Sequence, residues 1–329
     1  MPSAFACDLP VFRWALENWA ADPYEIVIYH DGALDAEQQQ LVEQLKNGTT
    51  EKDGLGNATT TLVDTTQAMD PFFEDLWENQ ENPQMPWMVV RYPHALPNPA
   101  YVWSGALSAE HITALLDSPA RREIAKRLAD QTTAVWIFLK TGDIKRDAGR
   151  QETLEQTLKA MSKTIEIKPL DVDTNEDAEP VPWDLKFSVL PIDRDDPAER
   201  PFIQMLLKSE GDLNDTDAPM VFPVFGRGRA LYALVDGGIS ASLIEEACMY
   251  IAGRCTCEVK DLNPGIDLLM STDWDQVVGT SLMAPIEPPS VAELTTVQIA
   301  SARVNEAGEE VSVDKLDIGF TPYDTDATS

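Results

Sequence analysis

The chain has 329 residues, 43% of them hydrophobic, so it is long enough for two domains and apolar enough for a sizeable core. Its 56 acidic residues against 25 basic residues give a formal net charge of −31, and such a surface repels nucleic-acid backbones and anionic lipids. No apolar run approaches the roughly 20 residues of a membrane-spanning helix, so we expect neither a nucleic-acid partner nor a transmembrane segment.

Helical and strand patterns alternate along the chain, with turn residues between them. In chain order they predict a helix from Pro10 to Trp19, a strand from Tyr24 to Tyr29, a helix from Asp35 to Lys46, strands from Thr59 to Asp64, Pro86 to Tyr92 and Tyr101 to Trp103, and a helix capped by Ser108. The same order then recurs, with a strand from Ala134 to Leu139, a helix from Gln151 to Ile165, a strand from Leu185 to Ile192, a helix from Pro201 to Lys208, a hairpin of Pro219 to Phe225 with Ala230 to Val235, and a helix capped by Ser240. The chain therefore belongs to the α/β class.

The two halves share a module that begins at a proline. Residues 86–108 and 219–240 both run from proline through Met-Val, a hairpin and glycine to Ser-Ala at the start of a helix. An ancient duplication leaves this kind of agreement in the order of elements. We predict two similar units, residues 1–132 and 133–284, followed by an acidic C-terminal tail, residues 285–329, that packs weakly.

This order of elements resembles the thioredoxin-like fold, in which a proline, usually cis, precedes the hairpin and faces the active-site loop. Pro86 and Pro219 stand at the matching positions. The resemblance covers residues 10–130 and 133–255 as an order of elements, and it implies two tandem thioredoxin-like units, each a mixed sheet flanked by helices. The segment from Ala6 to Trp19 also resembles a bacterial family of exported proteins with no assigned activity.

Thioredoxin chemistry needs a Cys-x-x-Cys motif at the start of the helix after the central strand, where the helix lowers the pKa of the attacking thiol. The corresponding segments here run from His30 to Leu34 and from Thr141 to Ile144, and neither contains cysteine. The sequence therefore predicts that both units are redox-inactive at the usual site.

The four cysteines are Cys7, Cys248, Cys255 and Cys257, an even set with three members clustered. After the last helix the chain can fold back and bring Cys255 or Cys257 to Cys248, which predicts a structural disulfide. A redox-active pair of Cys255 and Cys257 is the alternative, because Arg254 beside it favours the thiolate. No Cys-x-x-Cys spacing prepares a zinc site, and we predict neither a metal nor a cofactor.

The N-terminus carries a pattern that bears on compartment. Ala4-Phe5-Ala6 before Cys7 fits the small-x-small pattern that signal peptidase reads, although no basic region and apolar region precede it. Together with the even number of cysteines, this pattern favours a periplasmic or secreted location, with the cytoplasm as the alternative.

The segment from Asp171 to Asp177 alternates oxygen ligands as calcium loops do. Glu176 stands where the sharp turn needs glycine and Pro182 where the bidentate glutamate belongs, so a solvated acidic loop is the better interpretation. We interpret His30 and the Gly-Arg-Gly-Arg run at 226–229 as turn residues rather than as ligands.

No set of residues in the sequence amounts to an active site. The leading functional hypothesis is a non-catalytic binding or scaffold protein with a protein partner. A thiol–disulfide oxidoreductase that uses Cys255 and Cys257 is one alternative, and a low-affinity calcium-binding acidic protein is another.

Overall fold

The computed structural model describes residues 9–93, 101–165, 167, 185–255 and 258–278, together with two short strands farther along the chain. The chain divides into two compact units, residues 1–283 and residues 284–329. In the second unit, the described residues form an antiparallel pair of two-residue strands, Arg303–Val304 and Glu310–Val311.

Helices and strands alternate through most of the first unit. Its α-helices are α1 (Val11–Asn18), α2 (Ala36–Gly48), α3 (Pro71–Glu78), α4 (Ala109–Leu116), α5 (Pro119–Ala129), α6 (Ile144–Thr164), α7 (Arg200–Leu207), α8 (Ala241–Ala252) and α9 (Trp274–Val278). Its strands are β1 (Tyr24–His30), β2 (Ala58–Asp64), β3 (Trp87–Arg91), β4 (Tyr101–Ala106), β5 (Ala134–Lys140), β6 (Phe187–Asp193), β7 (Met220–Phe225), β8 (Arg229–Ala230), β9 (Leu234–Val235) and β10 (Ile266–Asp267).

The first sheet has the strand order β2–β1–β3–β4. β1 runs parallel to β2 and antiparallel to β3, with Ile26 opposite Val90, and β4 pairs antiparallel with β3. Two parallel neighbours need a crossover connection, and α2 supplies it. α2 begins where it does because Asp35 and Gln38 form a capping box.

The second sheet repeats this connectivity in the order β6–β5–β7–β8, and β10 extends it beyond β8. β5 runs parallel to β6, after the crossover through α6, and antiparallel to β7, with Ile137 opposite Phe222. β9 pairs with the start of β7. Both sheets are mixed and flanked by helices, which confirms the α/β class predicted from the sequence.

Helix starts agree only in part with the sequence-based prediction. α6 begins at Ile144 rather than at Gln151, because Asp143 caps it by accepting hydrogen bonds from the backbone N–H groups two and three residues on. The first turns of α6 are rich in charge, so no apolar periodicity marks them in the sequence. Ser108 caps α4 as predicted, whereas the Ser240 hydroxyl makes no capping hydrogen bond to α8.

Two further differences concern a strand and a helix. The predicted strand from Ala230 to Val235 is split into β8 and β9. Leu231 still donates to the oxygen of Pro223 at 3.0 Å, but Pro223 has no N–H to return a bond, and the register shifts by one residue before β9. The sequence patterns predicted no element at α3. Its start was nevertheless marked, since Asp70 is the cap and Pro71 the first helical residue.

The two sheets share one hydrophobic core. Ile28 of β1 and Ile137 of β5 belong to the same buried cluster, to which α7 contributes Phe202. Successive residues of a strand point to opposite faces, so Tyr29 and Trp136 lie in separate clusters on the outer faces. Neither sheet therefore has an inner face that could be buried without the other half of the chain.

Helix α1 packs against the second sheet. Trp14 and the following Trp19 lie in the cluster on that sheet's outer face, together with Phe138. The indole Nε1 of Trp19 also donates to the backbone oxygen of Glu258 at 2.9 Å. The sequence-based division places α1 in unit 1–132, although its core contacts lie among residues of 133–284. Those unit boundaries stay a prediction.

A buried segment at the end of the first unit ties the two sheets together, and we name residues 266–271 the return segment. Its first two residues form β10 on the edge of the second sheet. Farther along, Asn57 of the first half donates from Nδ2 to the backbone oxygen of Leu268 at 3.2 Å and accepts from the backbone nitrogen of Met270 at 2.8 Å. The Ser271 hydroxyl donates to the backbone oxygen of Leu116 at 2.6 Å.

Arg121 fixes the helices around the return segment. Its guanidinium donates to the backbone oxygens of Leu115 at 2.5 Å and Leu269 at 3.2 Å through Nη1, and of Ala114 at 2.6 Å through Nη2. Burial lowers the pKa of Arg121 to about 10, with the nearby Glu199 acting in the opposite direction. Arg121 is therefore protonated at neutral pH and places a positive charge at the carbonyl end of α4.

We expect Leu269→Ala to lower the free energy of unfolding by about 2–5 kcal/mol, because Leu269 is fully buried and the substitution leaves a cavity. Leu262→Ala, at a residue 60% exposed, is the control and should change stability by less than about 0.5 kcal/mol. Urea unfolding followed by both circular dichroism and tryptophan fluorescence should show one transition that shifts as a whole. Two separated transitions, of which only one moves, would contradict the role given to the shared core.

Candidate functional site

The loops that follow β1 and β5 occupy equivalent places in the two sheets, at the carboxyl ends of the central strands, where open α/β sheets bind their ligands. We name residues 30–35 the first loop and residues 141–143 the second loop. Each contains a glycine in the left-handed region, Gly32 at φ +84° and Gly142 at φ +90°. A side chain at either position would strain the backbone, so both turns favour glycine.

The first loop is closed by its own hydrogen bonds. Nδ1 of His30 lies 2.7 Å from the backbone oxygen of Gly32, and because a carbonyl only accepts, Nδ1 carries the proton. Asp64 Oδ1 accepts from the backbone nitrogen of Gly32 at 3.1 Å and from the Thr66 nitrogen and hydroxyl at 2.9 and 2.7 Å. The hydrogen bonds from Thr66 lower the pKa of Asp64. His30 therefore acts as a turn residue, in agreement with its interpretation from the sequence.

A buried carboxylate organises the second loop. Asp147, in the first turn of α6 and 6% exposed, accepts from the Thr141 nitrogen at 3.1 Å, the Thr141 hydroxyl at 2.9 Å and the Gly142 nitrogen at 2.9 Å. Asp143, the third residue of the loop, caps the same helix. The backbone N–H groups and the hydroxyl of the loop are thus already used within the protein, while the carboxylate of Asp143 stays exposed.

The two prolines occupy equivalent places beside these loops but differ in peptide geometry, because the bond before Pro219 is not cis. The Met85–Pro86 peptide bond is cis. The carbonyl of Pro86 accepts from the nitrogen of Leu107 at 2.8 Å, and that of Pro219 accepts from the nitrogen of Asp236 at 2.9 Å. The turn after each hairpin is therefore held to the proline that opens the module.

Asp236 connects the beginning of α6 to the turn after β9. Its carboxylate pairs with Arg146 at 2.7 Å and with Arg150 at 3.2 Å, both on α6. The hydrogen bond from Arg146 is the largest cause of a lowered pKa for Asp236, and the same bond raises the pKa of Arg146. Two arginines of α6 thus share the carboxylate of Asp236, and the two ion pairs hold the beginning of α6 against this turn.

An apolar side chain stands exposed at this edge of the second sheet. Ile144, the first residue of α6, is 84% exposed, and Leu243 at the start of α8 is 38% exposed. A Cβ added at Gly142 or at Gly237 would meet no atom within 4 Å, so the backbone around the exposed Ile144 is open. Two concavities among the described residues lie elsewhere, around Gln40 of α2 and between α6 and β6, and neither is lined by Pro86 or Pro219.

The cysteines lie away from both loops. Cys248 is a fully buried thiol in α8, and burial followed by the charge of Glu245 raises its pKa to about 12. Cys255 is 2% exposed, and no disulfide joins it to Cys248. Cys7 and Cys257 lie outside the described residues. The pairing of Cys248 with Cys255 or Cys257, and the redox role of Cys255 with Cys257, stay predictions.

The remaining sequence candidates have mixed outcomes. The acidic segment from Asp171 to Asp177 lies outside the described residues, and the described ones contain no group of three or more His, Cys, Asp and Glu side chains placed to hold a metal ion.

The Gly-Arg-Gly-Arg run connects β7 to β8 as a hairpin turn. Arg227 donates to the backbone oxygen of Leu16 at 2.8 Å and Arg229 pairs with Asp267 at 3.0 Å, so both arginines have partners within the protein. Among the described helices, none combines the length and apolar composition needed to cross a membrane.

Comparison of the chain with protein-family models found no match, and comparison with curated protein sequences found none either. The site must therefore be interpreted from its own geometry.

Sequence reasoning placed Ile144 in the segment that matches the thioredoxin active-site loop, but it missed Asp147 and Asp236. Asp147 and Ile144 fall in the charged beginning of α6, which the apolar pattern did not assign to a helix. The sequence did contain a signal, because Asp143 is a typical N-cap residue and no proline follows it in the next turns. A helix that starts there places Asp147 in its first turn. Nothing local links Asp236 to this place, since its partner Arg146 is 90 positions away.

We expect Asp147→Ala to lower the free energy of unfolding by about 2–4 kcal/mol, because three hydrogen bonds to a buried charge are lost and their donors are left unpaired. Asp195→Ala is the matched control, since that carboxylate is exposed, and it should stay within about 0.5 kcal/mol of the parent protein. Urea unfolding at pH 7 measures both. A loss below about 1 kcal/mol for Asp147→Ala would show that the loop does not depend on this anchor.

We also expect the Cys248 thiol to resist alkylation in the native protein. With a pKa of about 12, roughly 1 in 10,000 of these thiols is ionised at pH 8, and the thiolate is the reacting species. Iodoacetamide labelling of the tryptic peptide 230–254 should be at least about 100-fold slower in buffer than in urea. Equal rates in the two solvents would show a reactive, accessible thiol and would contradict the burial of Cys248.

Proposed function

We propose that this protein is a non-catalytic binding protein, built on two thioredoxin-like units, that acts in an extracytoplasmic compartment. The thioredoxin-like assignment is supported by the connectivity that both sheets share and by the equivalent places of Pro86 and Pro219 at the start of each hairpin. The compartment is supported by the even number of cysteines and by the signal-peptidase pattern before Cys7.

One observation carries the proposal: the second loop has its polar groups closed off by Asp147 and presents an exposed Ile144 where a redox thioredoxin would present a thiol. The loop contains no thiol, and its exposed carboxylate, Asp143, accepts hydrogen bonds from the beginning of α6. An exposed isoleucine beside open glycine backbone offers a contact to an apolar group of another protein. Binding is therefore the function that this edge supports best.

The partner we propose is a positively charged protein segment that carries an apolar residue. The net charge of −31 attracts basic partners over the whole surface and speeds their encounter. The contact at Ile144 then supplies short-range selectivity, because a buried apolar side chain contributes on the order of 2 kcal/mol.

A phage-displayed library of basic peptides, selected on the full chain, tests the binding function. Selected peptides should bind Ile144→Asp at least about tenfold more weakly than the parent protein, the loss expected when an apolar contact is replaced by a charge. Met249→Asp is the control, because Met249 is 56% exposed on the far part of α8 and should leave affinity unchanged. Failure to select any peptide, or equal affinity for Ile144→Asp, would refute the proposed site.

An insulin-reduction assay separates binding from the oxidoreductase alternative. The full chain should reduce insulin no faster than the Cys257→Ser variant, because the loops contain no thiol. Reduction by the parent protein that is lost in Cys257→Ser would instead establish thiol–disulfide exchange.

A further inference from the structure

The outer face of the first sheet is covered less completely than the outer face of the second. On the second sheet, α1, α6 and α8 all contribute buried side chains to the outer cluster. On the first sheet, the strands contribute four buried residues to the outer cluster, namely Val27, Tyr29, Val63 and Val89. Among the described residues, α3 is the helix that packs on them, and its one buried residue is Leu76. Apolar surface around α3 therefore stays within reach of solvent.

Aromatic side chains dominate this surface. Phe72 of α3 is 39% exposed, and the half-buried residues that pack on the same cluster include Phe73, Trp77, Trp87 and Tyr101. Phe72 and Phe73 pack edge to face with ring centroids 5.3 Å apart, and the Trp77 ring lies 4.9 Å from that of Tyr29. The rings are thus held in place by one another and by the sheet. An exposed patch of this kind marks an interaction surface.

The surface already holds a guanidinium of the chain itself. Cζ of Arg91 lies 4.1 Å from the centroid of the Phe72 ring, and Nη1 of Arg91 pairs with the carboxylate of Glu25. On the neighbouring strand, Nζ of Lys208 lies 4.1 Å from the centroid of the Tyr101 ring. A cation over an aromatic face is attracted by the negative charge of that face, and a planar guanidinium also stacks on it. The surface is therefore suited to arginine side chains.

The charges around this surface are acidic. From residue 53 to residue 90 the sequence has seven acidic residues and no Lys, Arg or His. Glu74, Asp75 and Glu78 of α3 are exposed, and no basic side chain of the described part of the chain pairs with them. At 3.6 residues per turn, these three positions follow one side of α3, next to the side that carries Phe72 and Trp77. The local field therefore attracts cations and repels anions.

Charge selects among the partners that could cover the aromatic rings. The C-terminal segment 285–329 has nine acidic and two basic residues, and a second copy of the chain has a net charge of −31, so α3 repels both. A basic segment of another protein is attracted instead. We propose that the surface around Phe72 and α3 is a docking site for an arginine-rich segment of a partner protein. Its guanidinium groups stack on the exposed rings and pair with the carboxylates of Glu74 and Glu78.

This inference does not rest on the proposed function, because the surface belongs to the first sheet and Ile144 to the second. Two labelled peptides of equal length and charge test it on the full chain by fluorescence anisotropy at physiological salt. One peptide alternates arginine with serine and the other alternates lysine with serine. The net charge of the protein attracts both equally, so we expect the arginine peptide to bind at least about threefold more tightly because its side chains stack. Equal affinities would overturn the proposal.

An apolar substitution locates the arginine peptide on the protein. Phe72→Ala should weaken its binding at least about threefold, because one exposed ring is lost. Leu262→Ala is the control, since Leu262 is 60% exposed and does not belong to the cluster under α3, and it should leave the affinity unchanged. An unchanged affinity in a folded Phe72→Ala variant, with the circular dichroism of the parent protein, would overturn the proposal.

Two matched pairs of substitutions separate local charge from net charge. Glu74→Gln with Glu78→Gln removes two exposed charges from α3, and Glu245→Gln with Glu246→Gln removes two exposed charges from α8. These surface changes leave the core untouched, so they test the site even if Phe72→Ala does not fold. We expect the α3 pair to weaken binding of the arginine peptide at least about threefold and the α8 pair less than about twofold. Equal losses would show attraction by net charge alone and would overturn the proposal.

The same preparations test the other occupants of the surface. Binding that is lost in Ile144→Asp and kept in Phe72→Ala would place the peptide at the second loop, and it would overturn this inference while supporting the proposed function. A dimer of the full chain that Phe72→Ala makes monomeric in size-exclusion chromatography would show a second copy on the surface. Hydroxyl-radical oxidation of Phe72 and Trp77 should fall when the arginine peptide is added. Oxidation that the peptide leaves unchanged would show that the peptide does not cover these rings, and this result or the dimer would overturn the proposal.

Discussion

The fold depends on the return segment being buried between two sheets that cannot each bury their own inner face. Asn57 is the polar centre of this junction, because its side chain bonds the backbone at Leu268 and at Met270, while its own backbone oxygen accepts from Tyr24 of β1. Backbone groups buried in this way are costly without partners, so the amide side chain stabilises an arrangement that apolar packing alone would leave unsatisfied. The two halves consequently form one compact unit even though their connectivity is the same.

Buried ion pairs also join the two halves, because several of the few basic residues lie in the interior. Asp267 of the return segment is buried and pairs with Arg229 and Lys260, and Lys260 also pairs with Asp22 before β1 at 2.8 Å. A buried ion pair adds little net stability, yet leaving one member alone is strongly destabilising, so such clusters fix which surfaces meet. The acidic excess is left for the exposed surface, where it is solvated and available to basic partners.

Two edge strands of the sheets have part of their backbone blocked. β2 and β6 are edge strands in equivalent places, and unpaired edges invite strand addition. Glu51 occupies the backbone nitrogen and the hydroxyl of Thr60 in β2, at 2.8 and 2.6 Å. In β6, Arg127 donates to the oxygen of Val189 at 2.9 Å, and Pro191 has no N–H to offer. These two edges are therefore less open to strand addition than an unblocked edge would be.

The sequence by itself determined the α/β class, nearly all the strands, the repeated proline-to-helix module and the lack of thiols in both loops, because periodicity and turn chemistry are local properties. The tertiary structure alone decided that the sheets share a core, that α1 covers the second sheet, and that Asp147, Asp236 and Ile144 meet at one edge. Each of these depends on contacts between distant positions, such as the bond from Met270 to Asn57 across 213 residues. The apolar pattern indicates which face of a helix or strand is buried, but it does not indicate which other element covers that face. The packing partners of these faces could therefore be identified only in the tertiary structure.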